Sequence, residues 1–210
     1  MKIKIDQLLQ EKLPEFSVIG YLMDVENNKT DEVFNLLNNL EVDLKIEEVT
    51  NDSLIKETRD GYKRLGKDPS HTRPACEALI RRVIKGIKLY SLGDLIDLGN
   101  ILSVKTKRSV CVVDANKIAG DVVIRIGCDG EYVDAINRGQ INAYNLPVYV
   151  DEIGIFGSPT SDTIRTSVTI DTKQILVMII CFGFSNKEEN EKLLLDLYQT
   201  YANAKNLIKL

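Results

Sequence analysis

The sequence predicts a mixed α/β (α+β) fold, one domain in which a central mixed sheet is flanked by helices. Three observations carry this. Helical periodicity dominates residues 30–105, short strand patterns dominate 110–182, and the chain opens on a strand and closes on a helix. With 210 residues, 44% apolar and 28% charged, the chain can bury a substantial core. Its length argues for a single domain over residues 1–210, with 1–14 as an N-terminal extension and 186–210 as a C-terminal helix.

Phe16 to Val25 is continuously rich in apolar and β-forming residues and reads as a buried strand, followed by a turn at Glu26-Asn-Asn-Lys. From Thr30 to Leu44, apolar residues at 33, 36, 37, 40 and 44 form a helical face, with Asp31 and Glu32 where the helix dipole favours anions. A second helix covers Asp52 to Leu65. The clearest element is Thr72 to Gly86, where Cys76, Leu79, Ile80, Val83, Ile84 and Ile87 share one face. Thr72 is placed to cap it, and Pro74 lies in the first turn, where no N–H is needed. Gly93 to Lys105 is apolar nearly all round, which predicts a buried helix. Strands follow at Val110–Val113, Val122–Ile126, Tyr132–Ala135, Val148–Val150 and Gln174–Phe182, the last apolar on both faces as a central strand is. A capping box, Ser185 with Glu188, opens the final helix.

Several function classes are disfavoured. The longest apolar run, Ile175 to Phe182, is far short of the roughly 20 residues a membrane helix needs. Asp6 and Glu11 stand where a signal peptide requires its apolar centre, so a cytoplasmic protein with no membrane partner is expected. Cys76, Cys111, Cys128 and Cys181 lack metal-ligand spacing and there is one histidine, His71, so no metal and no cofactor are expected. The net charge of −4 hides an asymmetry: residues 61–110 hold 11 Lys/Arg against 4 Asp/Glu, whereas residues 1–60 hold 7 against 14. A basic segment inside an acidic chain either meets an anionic partner or pairs with the acidic N-terminal part.

Gly61 to Lys67 matches G-x-x-x-x-G-K, but Asp68 replaces the hydroxyl residue of a phosphate loop and Pro69 interrupts the required helix. Asp97 and Asn100 lie one turn apart on the otherwise apolar helix. They either tie neighbouring loops together or present donors and acceptors to a ligand. Gly99 beside them costs about 1 kcal/mol relative to alanine in a helix interior, which a close approach would explain.

Three ordered stretches then carry a resemblance: RPACEALIRRVIKG over 73–86, LIDLGN over 95–100 and VVDANKIAGD over 112–121. Together they resemble the B3/B4 tRNA-binding and editing domain of the bacterial phenylalanyl-tRNA synthetase beta subunit, and free-standing members of that family more closely still. The resemblance covers about residues 10–185. It implies tRNA or aminoacyl-tRNA as partner, with an amino-acid-like ligand. It implies either hydrolysis of a mischarged aminoacyl ester or a non-catalytic binding module, and it leaves no room for ATP-dependent charging.

Carried over by position, the family's D-x-T-N falls on Asp97 to Asn100, with Gly99 in place of threonine. Its H-A-x-D falls on Cys111 to Asp114, so Cys111 replaces the histidine. The glutamate that reads a tyrosine hydroxyl becomes Met178, and a glycine-rich wall aligns with Gly154 and Gly157. Methionine fills space but accepts no phenolic hydrogen bond, so tyrosine editing is not expected. The expected pocket is therefore Asp97, Gly99, Asn100, Cys111, Gly154, Gly157 and Met178. The expected RNA contacts are Arg73 and, on the helix face opposite Leu79 and Val83, Arg81, Arg82 and Lys85. No catalytic residue can be named from the sequence.

Overall fold

A computed structural model describes all residues from Met1 to Leu210. Its elements are β1 (Ile3–Ile5), α1 (Gln7–Lys12), β2 (Ser17–Asp24), α2 (Asp31–Asn38), α3 (Ser53–Arg64), α4 (Ala75–Ile84), α5 (Asp94–Thr106), β3 (Ser109–Asp114), β4 (Val122–Ile126), β5 (Tyr132–Ala135), β6 (Gly139–Asn142), β7 (Pro147–Val150), β8 (Ile155–Ser158), β9 (Ser161–Asp162), β10 (Gln174–Cys181), α6 (Lys187–Tyr201) and β11 (Lys205–Lys209). The class is mixed α/β, as expected. The single central sheet is not: the strands divide into two sheets and a separate β5–β6 hairpin.

One sheet is antiparallel in the order β11-β2-β10-β3. The other runs β1-β4-β7-β8-β9 and is mixed, because β1 pairs with β4 in parallel. The two sheets and the helices form three layers, and β10 explains why. Side chains alternate across a strand. Ile175, Val177, Ile179 and Cys181 pack with Val33, Ile55, Ile80, Leu98 and Leu194 of the helices. Leu176, Met178 and Ile180 pack with Val122, Ile124, Tyr149 and Phe156 of the second sheet. A strand buried on both faces needs the continuous apolar run that the sequence shows there.

Several boundaries differ from the sequence reading, each for a local reason. α2 stops at Asn38, although Leu40, Val42 and Ile46 still pack on the helical core from an irregular segment. α4 begins at Ala75, with Pro74 at the N-cap position and no side-chain cap; the residue before a proline, here Arg73, is held away from helical ψ, so the helix cannot reach back to a cap at Thr72. The capping box at Ser185 does not form. Ser185 instead donates to Glu57 at 2.7 Å, and Asn186, at φ 58°, is the N-cap of α6. That helix ends at Tyr201, so residues 186–210 are not one helix: β11 follows and pairs with β2. Residues 1–14 likewise contribute β1 to the second sheet and α1, whose Leu9 is wholly buried.

Candidate functional site

Three of the seven expected pocket residues come together. Met178 of β10 lies opposite Cys111 of β3, and both belong to the apolar layer between the sheets, with Tyr149 and Phe156. Met178 is 0% exposed and Cys111 is 1% exposed. Gly157 on β8 faces Tyr149, and a Cβ there would sit 2.8 Å from both the Tyr149 ring and the Asp162 carboxylate. The glycine therefore serves close packing. Met178 and Cys111 are thus packed among other protein side chains.

The other four positions lie elsewhere. Asp97 is buried and accepts from the Ser91 hydroxyl at 2.6 Å and the Leu92 N–H at 2.9 Å, so it fastens the segment that leads into α5. Asn100 is half-buried. Gly99 meets protein, not ligand: a Cβ there would lie 2.5 Å from a Val112 methyl, so glycine is what lets α5 lie against β3. Gly154 adopts φ 146° in the turn between β7 and β8, with its carbonyl held by Arg165 at 3.3 Å. Replacing Asp97 by alanine removes the acceptor of two part-buried hydrogen bonds, from Ser91 and Leu92, and is expected to cost about 1–3 kcal/mol, whereas Asn100→Ala stays within about 0.5 kcal/mol. Urea melts of the two variants check the contrast; equal losses would mean that Asn100 also fastens the fold.

The basic helix is less free than the sequence suggests. Glu77 of α4 is 1% exposed, and its carboxylate is held by three arginines. Arg59 donates at 2.7 Å, Arg81 at 2.8 Å, and the Arg73 Nε lies at 3.5 Å. Arg81 and Arg73 are thus structural as well as basic, and Arg81 cannot be grouped with Arg82 and Lys85 as an uncommitted face. A buried acid needs charged partners, and Arg73 and Arg81 flank it at i−4 and i+4. Arg82 instead lies 5.2 Å from the Tyr90 ring centroid and donates to the Lys88 carbonyl at 3.0 Å. Lys85 and Lys88 are exposed, as is Tyr90 at 76%.

Two features escape the sequence reading. The first is an open cleft of about 280 Å³ lined by Ser70, His71, Thr72, Arg73, Arg138 and Thr160, with Ile141 its one apolar residue. Arg138 comes from the turn joining β5 to β6 and Thr160 from the turn between β8 and β9, so no spacing in the chain announces their meeting. The Thr160 carbonyl accepts from Arg138 at 3.5 Å and its hydroxyl is 3.0 Å from the Tyr62 hydroxyl.

The second lies deeper. The Asp162 carboxyl reaches the Cys111 thiol and the Val112 N–H, and burial pushes its pKa up to about 7 against the lowering effect of those two donors. Burial and the adjacent carboxylate raise the Cys111 thiol well above its ordinary value, so it stays protonated. Burial also raises Tyr149, next to Cys111 and Asp162, and its hydroxyl has no hydrogen-bond partner. A carboxyl that titrates near neutrality can hold or give up a proton at physiological pH.

Comparison with known proteins agrees with this architecture. The B3/4 domain family model matches residues 57–193. The phenylalanine–tRNA ligase beta subunit of Bartonella quintana (strain Toulouse) is 38% identical over 76 residues, covering 34% of this chain and 9% of that subunit. An N-terminal fragment of the phenylalanyl-tRNA synthetase beta subunit from Pyrococcus horikoshii superposes with a TM-score of 0.54 at 9% identity, covering 98% of this chain and 50% of the fragment. The chain thus spans a small part of the ligase subunit and half of the structural relative. No helix is long and apolar enough to cross a membrane. Since the family model runs from within α3 to the first half of α6, more than half of the sequence, the chain belongs to the B3/4 domain family.

Proposed function

We propose that this protein is a tRNA-associated module that binds RNA without hydrolysing an aminoacyl ester. The observation that carries the binding is the surface at the end of α4. Between Ala78 and Gly93 the chain holds Arg81, Arg82, Lys85 and Lys88 and no acidic residue. Tyr90 projects there, with the Arg82 guanidinium near its ring and exposed Leu92 close in sequence. Cations that track phosphates, beside an aromatic on which a base can stack, suit unpaired nucleotides. Binding without chemistry is supported by the packing of Met178 and Cys111, which are buried with Tyr149 and Phe156 in the apolar layer between the sheets.

The test is fluorescence anisotropy with tRNA over a salt series. Replacing Arg82, Lys85 and Lys88 together by glutamine should flatten the plot of log affinity against log salt by about 2, at roughly 0.7–0.9 per phosphate contact. Tyr90→Ala should cost about 1–3 kcal/mol of affinity. An unchanged slope and affinity would remove this face from RNA binding.

A second reading rests on Asp162. A carboxyl with a pKa of about 7 is suited to general-base work at neutral pH, and it touches Cys111, where the resemblance puts the pocket. On this reading the layer opens to admit an ester. A deacylation assay across a panel of mischarged tRNAs separates the two: release of any aminoacyl group above the uncatalysed rate, lost in Asp162→Asn, would establish the hydrolase and reject the non-catalytic reading.

A further inference from the structure

We propose that the cleft between the Ser70–Arg73 segment and the β5–β6 hairpin is a binding site for a phosphomonoester. The inference does not rest on RNA binding at Tyr90, because it uses different residues. Its basis is a local imbalance of charge. Arg59, Arg73 and Arg81 surround one carboxylate, Glu77, so this buried hub carries more positive charge than it compensates. The two tightest bonds, at 2.7 and 2.8 Å, go to Arg59 and Arg81. Arg73 is left with a 3.5 Å contact and a side chain 45% exposed, at the wall of the cleft.

Arg138 stands on the other wall. It has no carboxylate partner, and its one hydrogen bond is the 3.5 Å contact to the Thr160 carbonyl. Two under-used guanidinium groups on separate elements therefore flank one polar cleft, which Ser70, Thr72 and Thr160 also line and whose nearby Asp68 carboxylate is engaged by His71 at 2.6 Å and the Ser70 N–H at 2.8 Å. The Arg59 Nη2 donates to the Ser70 hydroxyl at 3.3 Å, which ties the cleft wall to the charged hub beneath. Guanidinium forks match phosphate oxygens two at a time, and a monoester dianion offers charge enough for both. A neutral sugar or base would leave the arginines unpaired, and a carboxylate would satisfy only one of them. The cleft volume, about 280 Å³, leaves room beyond the phosphate for part of the esterified group.

The phosphate has two possible sources, a free nucleotide or the 5′ end of an RNA, and one titration distinguishes them. Amide resonances of the intact protein are followed by NMR as inorganic phosphate, AMP, adenosine, acetate and a 5′-phosphorylated dinucleotide are added in turn. Phosphate and AMP should shift Thr72, Arg73, Arg138 and Thr160 saturably, and adenosine and acetate should not. Competition of the dinucleotide with AMP for the same amides points to an RNA end, and its exclusion points to a free nucleotide; both uphold the site. Arg138→Gln, an exposed change that keeps the fold, should weaken phosphate and AMP binding about tenfold or more. The proposal is overturned if acetate matches phosphate, if no saturable shift appears at these amides, or if Arg138→Gln binds as the natural protein does. None of these outcomes depends on whether the Tyr90 face binds tRNA.

Discussion

Replacing Glu77 by alanine is expected to cost about 3–5 kcal/mol of stability, the usual loss when one partner of a buried ion pair is removed. Such a loss is a large fraction of what holds a domain together. The reason lies in the burial of the partners. The Arg59 side chain is 12% exposed and that of Arg81 is 23% exposed, so neither can turn fully to water when the carboxylate goes. Arg73, 45% exposed, can. Added salt should therefore recover only part of the loss, because screening reaches exposed charges and not buried ones. Glu77→Gln keeps the shape and two acceptor lone pairs, and should fall between the alanine variant and the natural protein. Urea unfolding of both variants at low and high salt measures this. A loss below about 1 kcal/mol for Glu77→Ala would show that the arginines relax into solvent and that Glu77 is not the centre of the charged hub.

That hub was partly legible. Arg73, Glu77 and Arg81 stand four residues apart in the sequence, the spacing of neighbours on one helix face. Reading the arginines alone assigns them to an external anion; reading the spacing assigns them to Glu77. Arg59 could not be foreseen, because it joins from α3, eighteen residues earlier in the chain. Long-range tertiary contacts of this kind leave no periodic trace. The same holds for Arg138 and Thr160, brought to the cleft by two turns that carry ordinary loop composition.

The elements divide along a similar line. β4 and β5 agree with the sequence reading at both ends, and α3 and α5 differ from it by about a residue at each end, because their limits are set by turns or caps. β1, β6, β8, β9 and β11 were not legible. They have two to five residues each, and β1, β9 and β11 lie at sheet edges, where polar residues such as Lys205 and Lys209 are tolerated and blur the alternation. Dividing the strands into two sheets was equally hidden, since β10 reads the same whether helices or a second sheet cover its far face. The resemblance put Cys111, Met178 and Gly157 in one pocket with Asp97, Gly99, Asn100 and Gly154; the fold brings the first three near one another and places the other four elsewhere. What it could not reveal is that Cys111 and Met178 pack in one apolar cluster with Tyr149 and Phe156.

Asp162 should make stability fall as pH rises from about 4 to 7, and Asp162→Asn should abolish that dependence. The sign follows from the two pKa values. The unfolded carboxyl titrates near 4, while burial raises the folded one to about 7. Between these values the unfolded chain has released a proton that the folded protein keeps, so each pH unit in that window lowers the unfolding free energy by up to about 1.4 kcal/mol. The penalty is absent below pH 4, is complete above pH 7, and amounts to about 2–3 kcal/mol between pH 5 and 8. Asp151, Glu131 and Glu191 oppose the trend. Arg165 holds Asp151 low against the cost of its burial, and Arg125 and Lys209 hold Glu131 and Glu191 low, so the stability these three contribute is lost as pH falls toward their folded values. The total curve therefore mixes both signs, and the difference between the natural protein and Asp162→Asn isolates the one carboxyl. Asparagine keeps the shape and a carbonyl that can accept from Cys111 and Val112. The variant should gain on the natural protein by about 2–3 kcal/mol from pH 5 to pH 8, read from urea unfolding at the two pH values. A difference that does not change with pH would mean that Asp162 is ionised in the folded protein throughout, with the thiol and the N–H outweighing its burial. It would also remove the carboxyl on which the hydrolytic reading depends.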